Sequence, residues 1–215
     1  MYRASCGEFD SAAAGQPVTA SARRPAARRP ARTGSGLARA AACCLVLCLA
    51  WCALARGQQV DARREANVKA VFVYSFGRYV SWPAPAAGQP FRIGVIGTPS
   101  SYFTSAIDRI AASRKIAERP IVVKRFESLE KYQDCEILFV SGATSEALRK
   151  QVVERLSRAP VLIVGETPGF AQQGAVINFY VGDSVRFEIN DVAARQRGLK
   201  LDAKLLNLGR RISSN

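Results

Sequence analysis

Between residues 91 and 166 the chain carries four short apolar runs: FRIGVIG (91–97), PIVVKRF (120–126), CEILFV (135–140) and PVLIVGE (160–166). Runs of this length that are continuous rather than alternating belong to strands covered on both faces, the habit of parallel sheets. Helical stretches separate them. Thr98-Pro99-Ser100 supplies capping residues for a helix through Arg114 with Phe103, Ala106, Ile107 and Ile110 inward, and Ser141-Gly142-Ala143-Thr144 leads into the charged segment SEALRKQVVERLSRA (145–159). Covered strands alternating with helices form a doubly wound α/β sheet.

The pattern changes at both ends of this core. GAVINFYV (174–181) and SVRFEIN (184–190) flank Gly182-Asp183, which predicts a two-residue turn and an antiparallel hairpin with one wetter face along a sheet edge. Asp191 to Arg197 then form a short helix closed by Gly198, and LDAKLLNLGRRI (201–212) adds a leucine-lined turn or two. Before the first strand, residues 61–82 read as one helix. Val68, Val71, Phe72, Ser75, Tyr79 and Trp82 share its inward face, Phe76 and Val80 widen it, and Pro83 ends it.

Residues 1–57 are unlike the rest. Residues 1–60 hold eight Arg against two acids and five of the six cysteines. A basic Pro/Ala/Gly stretch (23–39) precedes the uncharged run Ala40–Ala55. Sixteen residues make about 24 Å of helix, short of a bilayer span. With Ala53-Leu54-Ala55 before Arg56, the layout is that of a secretory signal peptide, cleaved near Ala55 or Gly57. An uncleaved anchor, a lipoprotein at Cys52 and a nucleic-acid or anionic-lipid tail are the weaker alternatives. Met1 is the sole methionine, so residues 1–36 are read as a start-site artefact. The expected organisation is a leader over 1–57 and a single α/β domain over 58–215. Counted from Arg56, that domain carries 24 basic and 15 acidic residues, a net of +9, and one cysteine, Cys135, expected to be buried and inert.

No histidine is present, which removes Ser-His-Asp and Cys-His catalysis and His-ligated metals. GVIGTPS (94–100) lacks both GxGxxG and a GK[ST] ending, so its glycines read as turn residues. The pairs Glu127/Glu130 and Glu188/Asp191 read as surface charge, and no acid or Cys cluster has metal-ligand spacing. Two candidate sites remain. A ligand cleft at the carboxyl ends of the strands would use Thr98, Ser100, Ser101, Gly142, Glu166 and Thr167. A partner-binding patch on the aromatic helix would use Tyr74, Phe76, Arg78, Tyr79 and Trp82, since a helix cannot hide every face against one sheet. The inventory points to a binding or regulatory module, not an enzyme, and to no cofactor.

The motifs KAVFVYSFGRYVSWP (69–83), CEILFVSG (135–142), GETPGFAQQGAVINF (165–179) and VRFEINDVAARQRGLKLDAKLLNLGRR (185–211) resemble, in this order, the YfiR family of periplasmic proteins. The resemblance implies a Rossmann-like three-layer α/β sandwich, mostly parallel with a C-terminal antiparallel hairpin. It also implies an exported repressor that binds the periplasmic sensor domain of a membrane diguanylate cyclase, lowering cyclic di-GMP and restraining biofilm formation. An OmpA-like outer-membrane lipoprotein would relieve the block. The alternatives are a periplasmic small-molecule sensor and an accessory protein of a sensor histidine kinase. Nucleic acid is not an expected partner, and a homodimer stays open. Some members carry disulfides; here Cys135 stands alone, so redox control by an internal bridge is not expected.

Overall fold

A computed structural model describes residues 59, 61–83 and 88–212. The leader, its apolar run and the expected cleavage site lie outside the described residues. All described residues belong to one compact unit, Leu49–Asn215.

In chain order the elements are α1 (61–79), β1 (Val80–Ser81), β2 (Phe91–Ile96), α2 (Ser101–Ser113), β3 (Lys115–Ile116), β4 (Arg119–Phe126), β5 (Ile137–Val140) and α3 (Glu146–Arg155). Then follow β6 (Leu162–Gly165), β7 (Ile177–Val181), β8 (Val185–Ile189), α4 (Asp191–Gln196), β9 (Lys200–Leu201), α5 (Ala203–Leu208) and β10 (Arg210–Arg211). Among the described residues, eight strands form one sheet in the order β10-β8-β7-β6-β5-β2-β4-β3, and β4, β2, β5, β6 and β7 run parallel. All four apolar runs are strands of this sheet. The fold is mixed α/β with a mostly parallel sheet, as the alternation predicts.

Side chains of successive strand residues point to opposite faces, and the core divides accordingly. Ile93, Val95, Ile137, Phe139, Leu162 and Val164 pack with α1, α2 and α4 on one face. Ile96, Leu138, Val140 and Ile163 pack with Val152 and Leu156 of the α3 segment on the other. The central strands are buried on both sides, which is why they read as unbroken apolar runs. Ser100 and Ser145 cap α2 and α3, their hydroxyls accepting from Phe103 N and Leu148 N. Gly198 ends α4 at φ +70, the left-handed conformation that favours glycine.

Five expectations change. The helix expected over 61–82 stops at 79. Val80 and Ser81 pair with Leu201 and Lys200 of β9, and Asp202 N donates to the Tyr79 carbonyl (2.9 Å). The helix's last backbone groups thus find partners from a distant segment before Pro83 is reached. The inward face of α1 is also rotated. Ala66, Ala70, Val73, Phe76 and Val80 are buried, whereas Val71 is 54% exposed. Gly77 lies on this buried edge, where a Cβ would lie 2.6 Å from Ile116 Cδ1 and 3.2 Å from Phe91 Cζ, so its missing side chain permits the close approach.

The hairpin is antiparallel, but Val181 pairs with Val185, leaving a three-residue loop closed by Gly182 N to the Ser184 carbonyl (3.2 Å). Its polar face is not wet along its length. Asn178 and Glu188 are paired across the strands and buried, and Arg210 bonds to the Glu188 carboxylate. Nor is β8 the edge: β10 lies parallel outside it, with Arg210 opposite Glu188.

Candidate functional site

The carboxyl ends of β2, β5 and β6 bring part of the expected ligand cleft together. The loop after β2 turns at Gly97, φ +88, where a Cβ would meet Thr144 Oγ1 at 2.3 Å. Gly142 N donates to Glu166 Oε1 (2.9 Å), and Ser100 lines a small cavity with Glu166. Thr98 and Ser101 stand exposed and make no side-chain hydrogen bond among the described residues, and the Thr167 hydroxyl is buried without a partner.

The crevice also holds a plug that no sequence spacing reveals. Lys69 reaches from α1 into this crevice, its Nζ 2.7 Å from Glu166 Oε2 and 2.5 Å from Glu65 Oε1. Burial alone would lower the Lys69 pKa, but the bonds to Glu166 and Glu65 outweigh it and hold the ammonium above its ordinary value. The cavity left around Ala62, Lys69, Ser100, Phe103 and Glu166 is about 160 Å³. Ligand pockets begin near ~300 Å³. The crevice where an open α/β sheet receives a ligand is filled by the protein's own ion pair. A charged residue within the apolar stretch of α1 was the available signal.

A more apolar concavity lies on the far side of α1. Val68, Val71, Phe72, Tyr79, Phe187 and Leu205 frame a groove of about 390 Å³, with Leu208, 67% exposed, at its rim. Its floor is built. Phe72 and Phe76 pack on Phe187 with ring centroids 5.3 and 5.1 Å apart, both edge-on, and Phe179 lies behind them. A second groove, about 300 Å³, runs on the other side of Val71 against α2 and is lined by Ala106, Arg109 and Ile110. Val71 is therefore a ridge between two grooves. The residues the periodicity assigned to the core face of α1 are the ones that form this half-exposed apolar surface.

The expected partner patch is thus split. Phe76 is 1% exposed and is withdrawn from it, because its ring is locked between Phe72, Phe179 and Phe187. Trp82 is half-buried, edge-on to Phe91 at 5.3 Å, with Nε1 donating to the Glu136 carbonyl (3.0 Å), a structural bond at the opposite end of the sheet. Tyr79 lines the groove, and Arg78 is exposed. Tyr74 is half-exposed on the α2 side of the helix, its hydroxyl 3.5 Å from the Lys115 carbonyl.

Glu127 and Glu130 are exposed, as surface charge should be, whereas Glu188 is buried against that expectation and, like Asp191, is neutralised locally. Glu188 is held by Arg210, and Asp191 by Arg195 and Arg211 (2.9 and 2.8 Å). Burial acts upward on Asp191, but the Arg211 hydrogen bond and the Arg195 charge win and keep its carboxyl below the usual range. Glu127 bonds to Lys131, one turn along. Cys135 is buried as expected, and burial pushes its thiol up to about 12.

The model of the YfiR/HmsC-like family matches residues 66–210, nearly all of the described chain. The chain belongs to the YfiR/HmsC-like family. No curated protein matches it. Among solved structures it is similar to a conserved domain protein from Vibrio cholerae, at 13% identity over 57% of this chain and 54% of that one, with a TM-score of 0.43. This chain spans about half that protein's length. The family boundary starts inside α1 and ends at β10, so the apolar ridge, the Lys69 plug and the terminal leucines all fall within the family's domain.

Proposed function

We propose that this YfiR/HmsC-like protein is a periplasmic regulatory binding protein. It inhibits a membrane-bound diguanylate cyclase by docking on the cyclase's periplasmic sensor domain, which lowers cyclic di-GMP and restrains biofilm formation. The family match over residues 66–210 carries this reading. The half-exposed apolar surface of α1 and α5 supports docking, since an apolar patch of this kind is kept at a cost unless something covers it. The small residual space around Lys69 favours a protein partner over a small ligand at the strand ends. In this reading the protein has no catalytic role, the fold is Rossmann-like, and residues 1–57 hold a basic leader and a signal peptide cleaved near Ala55 or Gly57. No described helix is long and apolar enough to cross a membrane.

Deleting the gene tests the proposal. Cyclic di-GMP and surface attachment should rise and fall back on complementation, and the mature chain should fractionate with the periplasm. Unchanged cyclic di-GMP in the deletion strain refutes the cyclase assignment. A histidine kinase whose signalling changes in the same strain would put the family's other partner class in its place.

A further inference from the structure

On α1, Arg64, Val71 and Arg78 lie seven residues apart, two helical turns, and so on one exposed stripe. Both arginines are exposed and sit at the two ends of the apolar ridge. More cations flank the grooves. Arg109, on the α2 side, donates to Asn67 Oδ1 (3.2 Å), and Lys204 shares a face of α5 with Leu208. Of the acids nearby, Glu65 is bound to Lys69, Asp61 and Asp183 line a recess on the Phe72 side of the helix together with Arg64, and Asp202 caps α5 with its backbone N bonded to the Tyr79 carbonyl.

From this arrangement we infer that the α1–α5 surface is the docking site for an amphipathic helix of a partner protein, one with an apolar centre and carboxylates about two turns to either side. The inference rests on the reading that this protein acts by binding another protein, and it specifies the surface and the partner's chemistry. A ridge between two grooves is the relief into which the side-chain rows of a second helix pack. The charge pattern selects the occupant. In a second copy docked antiparallel about a two-fold axis through Val71, Arg64 would face Arg78 of the other copy, and this repulsion would occur twice. A helix carrying Glu or Asp at those positions meets both arginines favourably, which adds selectivity and association rate.

Two fluorescent helical peptides of about 21 residues supply the probes. Both carry Leu and Ile on one face, with Glu in one and Lys in the other at the positions two turns from the centre. The mature protein should bind the Glu peptide at least about tenfold more tightly, an advantage that shrinks in high salt. Val71→Glu and, on a separate element, Leu208→Glu should each abolish binding while keeping the wild-type melting temperature, because both side chains are exposed. The double variant Arg64→Glu/Arg78→Glu should reverse the preference toward the Lys peptide. Equal binding of the two peptides, with no response to the double variant, overturns the inference. So does a dimer that Val71→Glu dissociates, or phosphatidylglycerol vesicles that bind the protein through Val71. In the complemented deletion strain, repression by Val71→Glu equal to wild type removes this surface and leaves the proposed function standing. A wild-type chain that fails to restore repression removes the proposed function, while the peptide result stands on its own.

Discussion

Lys69 keeps its ammonium almost wholly inside the protein, with Glu65 and Glu166 as its counter-ions. A charge in that position is tolerated only when paired, and removing one partner of a buried pair is costly. Glu166→Gln leaves Glu65 in place, so the expected loss is moderate, about 1–3 kcal/mol in a denaturant titration. The pH dependence has a definite sign. A lysine raised in the folded state contributes stability fully below its ordinary pKa of 10.5 and loses it as pH rises through the higher folded value. The gap between wild type and Lys69→Met should therefore be flat through neutral pH and close only in strong alkali. Cys135 has the same sign. Its thiol stays protonated in the fold to about 12 while the unfolded thiol ionises near 9, so stability should fall with pH across that interval. At pH 8 a thiol reagent should label Cys135 no faster than the protein unfolds; rapid labelling of native protein would show an access path to Sγ.

Which face of α1 turns inward is a property of the element, and it separates two neighbouring apolar residues. Phe76→Ala should cost about 3–5 kcal/mol, because its ring packs on Phe179 of β7 and Phe187 of β8. Val71→Ser should stay within about 0.5 kcal/mol of wild type by thermal melting; similar losses for both would mean the helix is rotated from its described position. The turn between β3 and β4 makes a second prediction. Ala117 and Glu118 occupy it at φ +48 and +59, a conformation in which L side chains are strained. Ala117→Asn with Glu118→Gly should raise stability by up to about 1 kcal/mol, read as an increase in Tm of about 2–4 °C. The periodicity of α1 pointed to the wrong face because both faces are apolar: Val68, Val71 and Phe72 match the three-four spacing as well as Ala66, Ala70 and Val73 do. Small alanines and Gly77 mark the close-packed side, and they carry little weight in a hydrophobicity count.

For the molecule as a whole, one sheet serves two cores. Leu138 and Phe139 are adjacent on β5 and enter opposite clusters. Alanine at either position should cost about 2–5 kcal/mol and should shift one shared unfolding transition, coincident by circular dichroism and fluorescence. Two separated transitions would show that the layers unfold independently. The strands, the capped helices and the class of fold were legible in the sequence, because each rests on local pattern: unbroken apolar runs, Ser100 and Ser145 before helices, and Gly198 after one. The site was legible only in part. Tyr79 and Arg78 were found on α1 and Gly142 and Glu166 at the strand ends, but Phe76 was misplaced and Lys69, which reads as a solvent-reaching cation, is buried instead, since partners 97 residues apart leave no spacing to recognise.

The sequence by itself determined that this chain makes a covered, mostly parallel sheet and belongs with the YfiR/HmsC-like proteins, since burial on two faces and ordered motifs are written along the chain. Only the tertiary structure decided that Lys69 closes the crevice at the strand ends and that Val71 faces outward between two grooves. Both depend on how a helix apolar on two faces is seated, which involves the close approach at Gly77 and the pairing of β1 with β9, contacts made by residues far apart in sequence.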